Sequence, residues 1–170
     1  MRFLRTITIA GLLGSLAVMP AMAASAPKVR ARSIDDLAPL PLPYDEKANA
    51  TQDVAKARAK AKAAHKLLLI DLGGNWCADC RILASVMEQP EMRPFMKKHY
   101  ELVTVDVGRF DKNMAIAERY GFKKLEGVPA LLIVDPATNK VINRDKIFAL
   151  ADARSMSPQA LADWLAKWTR

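Results

Sequence analysis

The sequence predicts an α/β fold with a small mixed β-sheet flanked by helices. Three observations carry that prediction. The apolar runs Leu67–Ile70 and Ala130–Val134 read as buried strands. Between them, Ile82, Leu83, Val86 and Met87 recur at the helical period. The order strand, helix, strand, helix, strand, strand, helix is that of an α/β domain.

The first residues stand apart from the fold. Arg2 and Arg5 precede an apolar stretch from Ile7 to Met19, and Ala21-Met22-Ala23 supplies a small-x-small cleavage pattern. Residues 1–23 are therefore expected to be a secretory signal peptide, cut after Ala23. The apolar stretch is shorter than the roughly 20 residues a membrane span needs. No cysteine lies near the cleavage point, and Arg2 and Arg5 are not adjacent, so neither a lipoprotein nor twin-arginine export is expected. The style is bacterial and the expected destination is the periplasm. Export would leave 147 residues, enough for one domain with a core, and lower the net charge from +8 to +6.

Residues 24–44 form a Pro-rich linker, in which Pro27, Pro39, Pro41 and Pro43 prevent regular structure. Leu37, Leu40 and Leu42 could lay it along the domain as an extended strap. The domain itself spans 45–170. It opens with an Ala-rich helix, beginning between Asp45 and Thr51 and ending near Ala64. Lys56, Arg58, Lys60, Lys62 and Lys66 are scattered around that cylinder, which makes a solvated face and not a nucleic-acid stripe. A strand follows over 66–72, then a helix over 77–89 broken by Pro90, and a second helical piece over 91–99. Residues 101–107 alternate as a strand and end in the turn Gly108-Arg109-Phe110-Asp111. A short helix over 112–120 stops at Gly121. After the strand at 130–134, Asp135 to Asn139 turn the chain, and Lys140 to Asn143 begin an edge strand whose continuation towards Phe148 the pattern leaves open. Ser157 caps the last helix, with Pro158 at its first position and Leu161, Trp164, Leu165 and Trp168 as its apolar stripe. Phe110, the methionines and the Trp164/Trp168 pair are read as core.

The chemistry lies between the first strand and the next helix. Cys77 and Cys80 are the only cysteines. They follow the turn Gly73-Gly74-Asn75 at a helix N-terminus, where unpaired N–H groups and the helix dipole favour a thiolate. A thiol of pKa about 8.5 is a few per cent ionised at pH 7, and the helix terminus supplies roughly the one unit needed to make it half ionised. Cys77 leads the turn and is expected to be the exposed nucleophile. Cys80, one turn in and more buried, would attack the mixed disulfide and release the product. A purely structural bridge is the poorer reading, because a four-residue loop is worth only about 1.9 kcal/mol against about 4.7 for a hundred-residue loop. A metal site of Cys77, Cys80, His65 and His99 matches no usual zinc spacing, so no metal and no cofactor beyond the Cys77–Cys80 pair is expected.

Trp76-Cys77-x-x-Cys80 after a strand, with Gly127-Val128-Pro129 before a later one, resembles the thioredoxin superfamily and its thioredoxin-like fold. The long helix ahead of the first strand, Cys80-Arg81, and Gln89-Pro90-Glu91-Met92 are similar to its periplasmic branch, which includes the C-terminal domain of the membrane thiol:disulfide interchange protein. The resemblance covers about Asp45 to Arg170. It implies a cis bond between Val128 and Pro129, and a loop beside the cysteines where the Val128 backbone pairs with an extended substrate. It implies that Trp76 shields the cysteines. It also makes Asp71 the buried carboxylate that takes the proton from Cys80. The chain departs from the family at Leu102, where thioredoxin has a lysine paired with that carboxylate. Between the cysteines stand Ala78 and Asp79 instead of Gly-Pro. An acid close to the Cys77 thiolate raises its pKa and makes the reduced protein a better electron donor, while Arg81 and the dipole oppose this.

The expected activity is a periplasmic thiol–disulfide oxidoreductase, a reductase exchanging disulfides with exported proteins. A disulfide oxidase or isomerase is the nearest alternative, and a non-catalytic copper(I)-binding scaffold is the rival from another class. The expected partners are protein thiols and disulfides and a membrane electron donor, with no nucleic acid, and the chain is expected to act as a monomer.

Overall fold

The computed structural model describes residues 23–37 and 39–169. Nearly all of the expected signal peptide lies outside the described residues. The domain is built on a four-stranded sheet in the order β2-β1-β3-β4. Its strands are β1 (Leu67–Gly73), β2 (Tyr100–Asp106), β3 (Ala130–Asp135) and β4 (Lys140–Val141). β1 runs parallel to β2 and antiparallel to β3, so the sheet is mixed. Every residue of β1 is buried, as its central place requires.

Among the described residues, five α-helices cover the two faces: α1 (Ala50–Ala63), α2 (Ala78–Met87), α3 (Met92–His99), α4 (Met114–Arg119) and α5 (Pro158–Ala166). Leu68, Ile70 and Leu72 face a core shared with α1 and α4, to which α1 contributes Ala50, Val54, Ala57 and Ala61. The lysines of α1 remain on its solvent side. Leu67 and Leu69 face the other core, with Leu83 and Val86 of α2, Met92 of α3, and Leu161 and Leu165 of α5. Ser157 caps α5 by accepting from Ala160 N–H, with Pro158 just inside. Gly121, at φ +89°, follows the end of α4.

The edge strand is shorter than expected. After Val141 the chain leaves the ladder, and the buried side chain of Asn143 takes over. Its amide oxygen accepts from Ile133 N–H at 2.9 Å, and its NH2 donates to Leu131 O at 2.8 Å. One side chain thus satisfies two β3 backbone groups that a longer strand would have paired. The stretch beyond continues as short 3-10 turns at 144–146 and 153–155.

The Pro-rich stretch lies against the domain. Ala24 N–H donates to Thr169 Oγ1, Val29 N–H to Gln159 Oε1, and Arg30 N–H to Glu91 Oε1. Leu37 is buried and Leu40 packs partly against the α2–α3–α5 core, whereas Leu42 is 66% exposed. Backbone carbonyls that an irregular segment cannot pair with itself are met by side chains. Ser85 Oγ donates to Leu37 O, Arg81 to Leu40 O and Pro41 O, and Thr104 Oγ1 to Pro43 O. The strap therefore ends, at Tyr44, directly beside β1.

Candidate active site

Strand register assembles the site. Leu72, near the end of β1, pairs with Ala130 at the start of β3, so the Val128-Pro129 loop is set next to the turn leading to Cys77. Gly73 pairs with Asp106, which brings the turn after β2 to the same edge. The Val128–Pro129 bond is cis.

Cys77 is the N-cap of α2 and is disulfide-bonded to Cys80. Its Sγ accepts from Cys80 N–H at 3.1 Å and lies 3.5 Å from Val128 O. A sulfur at this position receives a backbone donor and the positive end of the helix together. Cys80 is fully buried, while Cys77 shows only 5% of its surface. The expected order of exposure holds, but Cys77 is a rim residue under the Val128 carbonyl and not an open one.

Trp76 is partly exposed and donates from Nε1 to Gly108 O at 2.6 Å. The Arg109 guanidinium lies 4.6 Å above its ring, and Phe110 meets it edge-on at 6.2 Å. Phe110 was expected in the core and is instead 40% exposed. The tight turn after β2, with Phe110 itself at φ +69°, turns the residue out towards Trp76.

Asp71 is fully buried on β1 and receives a 2.9 Å hydrogen bond from the Tyr44 hydroxyl at Oδ1. Among the described residues nothing bonds its Oδ2. Burial pushes the carboxyl up to about 7, with the Tyr44 hydrogen bond acting in the opposite direction. Burial, and then the neighbouring carboxylate, raise the Tyr44 phenol well above its usual range. Leu102, in the place of the family's lysine, pairs with Leu69 and is partly exposed. Sequence reasoning missed Tyr44, which closes the Pro-rich stretch. A buried carboxylate deprived of its lysine was the one available signal that another polar group must reach it.

One sequence expectation about charge needs correction. Asp79 does not present a bare carboxylate to Cys77. It is buried and gripped by the Arg154 guanidinium and by Arg154 N–H. Burial acts to raise its pKa, but the Arg154 hydrogen bonds outweigh that and hold it below the ordinary carboxylate value. Arg81 donates to the strap carbonyls of Leu40 and Pro41, neutral acceptors that leave its positive charge in place. Ala78 sits at the first position of α2. His65 and His99 line a pocket with Lys62, Lys66 and Lys98 at the opposite end of β1, far from the cysteines. Among the described residues no group of three or more His, Cys, Asp or Glu side chains could hold a metal ion.

A family model described as thioredoxin-like matches residues 49–136. The solved structure of a disulphide isomerase from Xylella fastidiosa Temecula1 is 41% identical, covers 75% of this chain and 97% of its own, and superposes with a TM-score of 0.70. The chain belongs to the thioredoxin-like family. The oxidised C-terminal domain of DsbD from Neisseria meningitidis is also similar, at 23% identity over 53% of this chain and 77% of that domain, with a TM-score of 0.40. No curated protein matches the sequence. With a Cys77–Cys80 disulfide at the head of α2, this thioredoxin-like protein is a thiol–disulfide oxidoreductase. No helix among the described residues is long and apolar enough to cross a membrane.

Proposed function

We propose that this protein is a periplasmic reductase that breaks disulfides in exported proteins, with residues 1–23 directing its export. The observation that carries the direction is the modest stabilisation offered to the Cys77 sulfur: one backbone donor, Cys80 N–H, and one helix N-terminus. Strongly oxidising members of this chemistry owe their potential to a heavily stabilised reduced form. A helix terminus worth about 0.3–1 kcal/mol, or up to about 2 when partly buried, keeps the pair nearer the reducing end.

Cys77 attacks a client disulfide and Cys80 resolves the mixed disulfide. Asp71 takes the proton that Cys80 must lose, since a carboxyl near pKa 7 exchanges protons at neutral pH. Val128 offers its backbone to an extended client segment, Pro129 holds that loop, and Trp76 covers the flank. The electrons are carried by the Cys77–Cys80 pair without a further cofactor, in a monomer recharged by a membrane electron donor. The similarity to a disulphide isomerase favours one second reading, in which the same reduced pair reshuffles wrong disulfides.

The reduction potential tests the direction. A value near about −270 mV is expected, and one near about −120 mV would make the protein an oxidant. In insulin reduction by dithiothreitol, Cys77→Ser is expected to abolish the acceleration. Cys80→Ser is expected to trap mixed disulfides with clients. Trapping by Cys77→Ser instead would reverse the two roles, and tight copper(I) binding without any acceleration would favour a metal-binding scaffold.

A further inference from the structure

The geometry points to Tyr44 as a proton relay between Cys80 and Asp71, carried into the site by the N-terminal strap. The inference rests on the disulfide exchange proposed above. Three features place the hydroxyl there. It donates to Asp71 Oδ1 at 2.9 Å, with both side chains buried. A Cβ at Gly73 would collide with Tyr44 Oη and lie 2.8 Å from Cys80 Sγ, so the phenol and the sulfur share the space that only glycine leaves open. Finally, the Tyr44 backbone is clamped to the turn before Cys77. Its N–H donates to Asn75 Oδ1 at 3.1 Å, and its carbonyl accepts from Asn75 Nδ2 at 2.8 Å.

The step balances as follows. A client is joined to Cys77 by a mixed disulfide, and Cys80 is a thiol. The Cys80 proton passes to Tyr44 Oη while the Tyr44 hydroxyl proton passes to the Asp71 carboxylate. The Cys80 thiolate attacks Cys77 Sγ, so the Cys77–Cys80 bond forms and the Cys77–client bond breaks. The client leaves as a thiolate and takes a proton from water. The two cysteines have lost the electron pair that the client disulfide gained. Asp71 then returns its proton to solvent. Tyr44 stays neutral throughout, which fits a phenol whose ionisation burial opposes.

Stopped-flow mixing of reduced protein with a fluorescent peptide disulfide separates attack by Cys77, which depends on peptide concentration, from the release step, which does not. Tyr44→Phe keeps the ring and removes the relay. It is expected to leave attack within about twofold and to slow release about a hundredfold, the low end of what a positioned proton-transfer group supplies. The pH profile of release should move from near neutrality towards the range of an unassisted thiol, about 8.5 or above. Asp71→Asn should slow release equally, and the double variant no further. Wild-type release should slow in D2O, and that slowing should shrink in Tyr44→Phe. Release by Tyr44→Phe within twofold of wild type across the pH range would overturn the relay. So would equal slowing of both phases, which marks a structural role. A wild-type protein that never opens the peptide disulfide would instead sink the exchange reading itself, and is recognised because the failure appears before any substitution.

Discussion

Asp71 sits where a charged carboxylate is hardest to keep: inside β1, covered on both faces, with one hydroxyl for company. Burial raises its pKa from 3.8 to about 7, so the folded protein favours the neutral acid. The consequence for stability has a definite sign. Below about pH 4 the carboxyl is protonated in both folded and unfolded chains, and its full contribution is present. Between about pH 4 and 7 the unfolded chain releases a proton that the folded one keeps, and stability falls by up to about 1.4 kcal/mol per pH unit. Above about pH 7 both states are ionised and the loss levels off, at no more than about 4 kcal/mol. Asp71→Asn keeps the acceptor for Tyr44 and removes the titration. Its melting temperature is therefore expected to match wild type near pH 4 and to exceed it by several degrees at pH 8. Calorimetric melts across that range check it, and parallel curves for the two proteins would mean that Asp71 ionises freely in the fold. Stability and chemistry pull against each other at this residue, since the carboxyl that exchanges protons near neutrality is also a buried acid.

At the scale of elements, α2 is the piece on which the chemistry turns. Its inner face was legible from the period of Ile82, Leu83, Val86 and Met87, and its end from Pro90. Its electrostatics were not. Asp79 is paired with Arg154, a residue 75 positions away in the 3-10 turn at 153–155, and no local pattern announces such a partner. The same limit applies to the edge strand, where the side-chain amide of Asn143 takes the place of ladder bonds that a strand over 140–143 would make. The Asp79–Arg154 pair makes a test at this scale. Arg154→Ala strips the guanidinium from a buried carboxylate in the first turn of α2 and leaves only the backbone N–H bond. Stability should drop by about 1–3 kcal/mol, as for charged hydrogen bonds lost from a buried group. The unpaired negative charge should then oppose ionisation of the Cys77 thiol in the reduced protein and move its alkylation profile to higher pH. The pH dependence of iodoacetamide alkylation in the reduced protein reads the shift directly. An unmoved profile would mean that the charge of Asp79 does not reach Cys77.

Across the whole molecule, the order of strands and helices followed from continuous apolar runs in the central strands, helical periodicity and turn residues. The leucines of residues 24–44 pointed to a strap along the domain, and Leu37 and Leu40 pack as such, but the contacts that fix its path were not legible. A segment with four prolines has no period to read, and its packing is set by carbonyls that meet Ser85, Arg81 and Thr104 on elements distant in the chain. Yet the strap closes one core and delivers Tyr44 to the other side of β1, so the domain's stability and its site share this segment. Two of its leucines separate a packed strap from a loose one. Leu37 is buried against the α2–α3–α5 core, and Leu42 is mostly exposed. Leu37→Ala is expected to cost about 2–3 kcal/mol, the lower part of the range for buried leucines, because a site at the edge of a core can partly collapse. Leu42→Ala should stay within about 0.5 kcal/mol of wild type. Urea melts with an unchanged slope would measure both. If both substitutions proved silent, the strap would be detached in solution, and Tyr44 would lose the tether that holds it over Gly73.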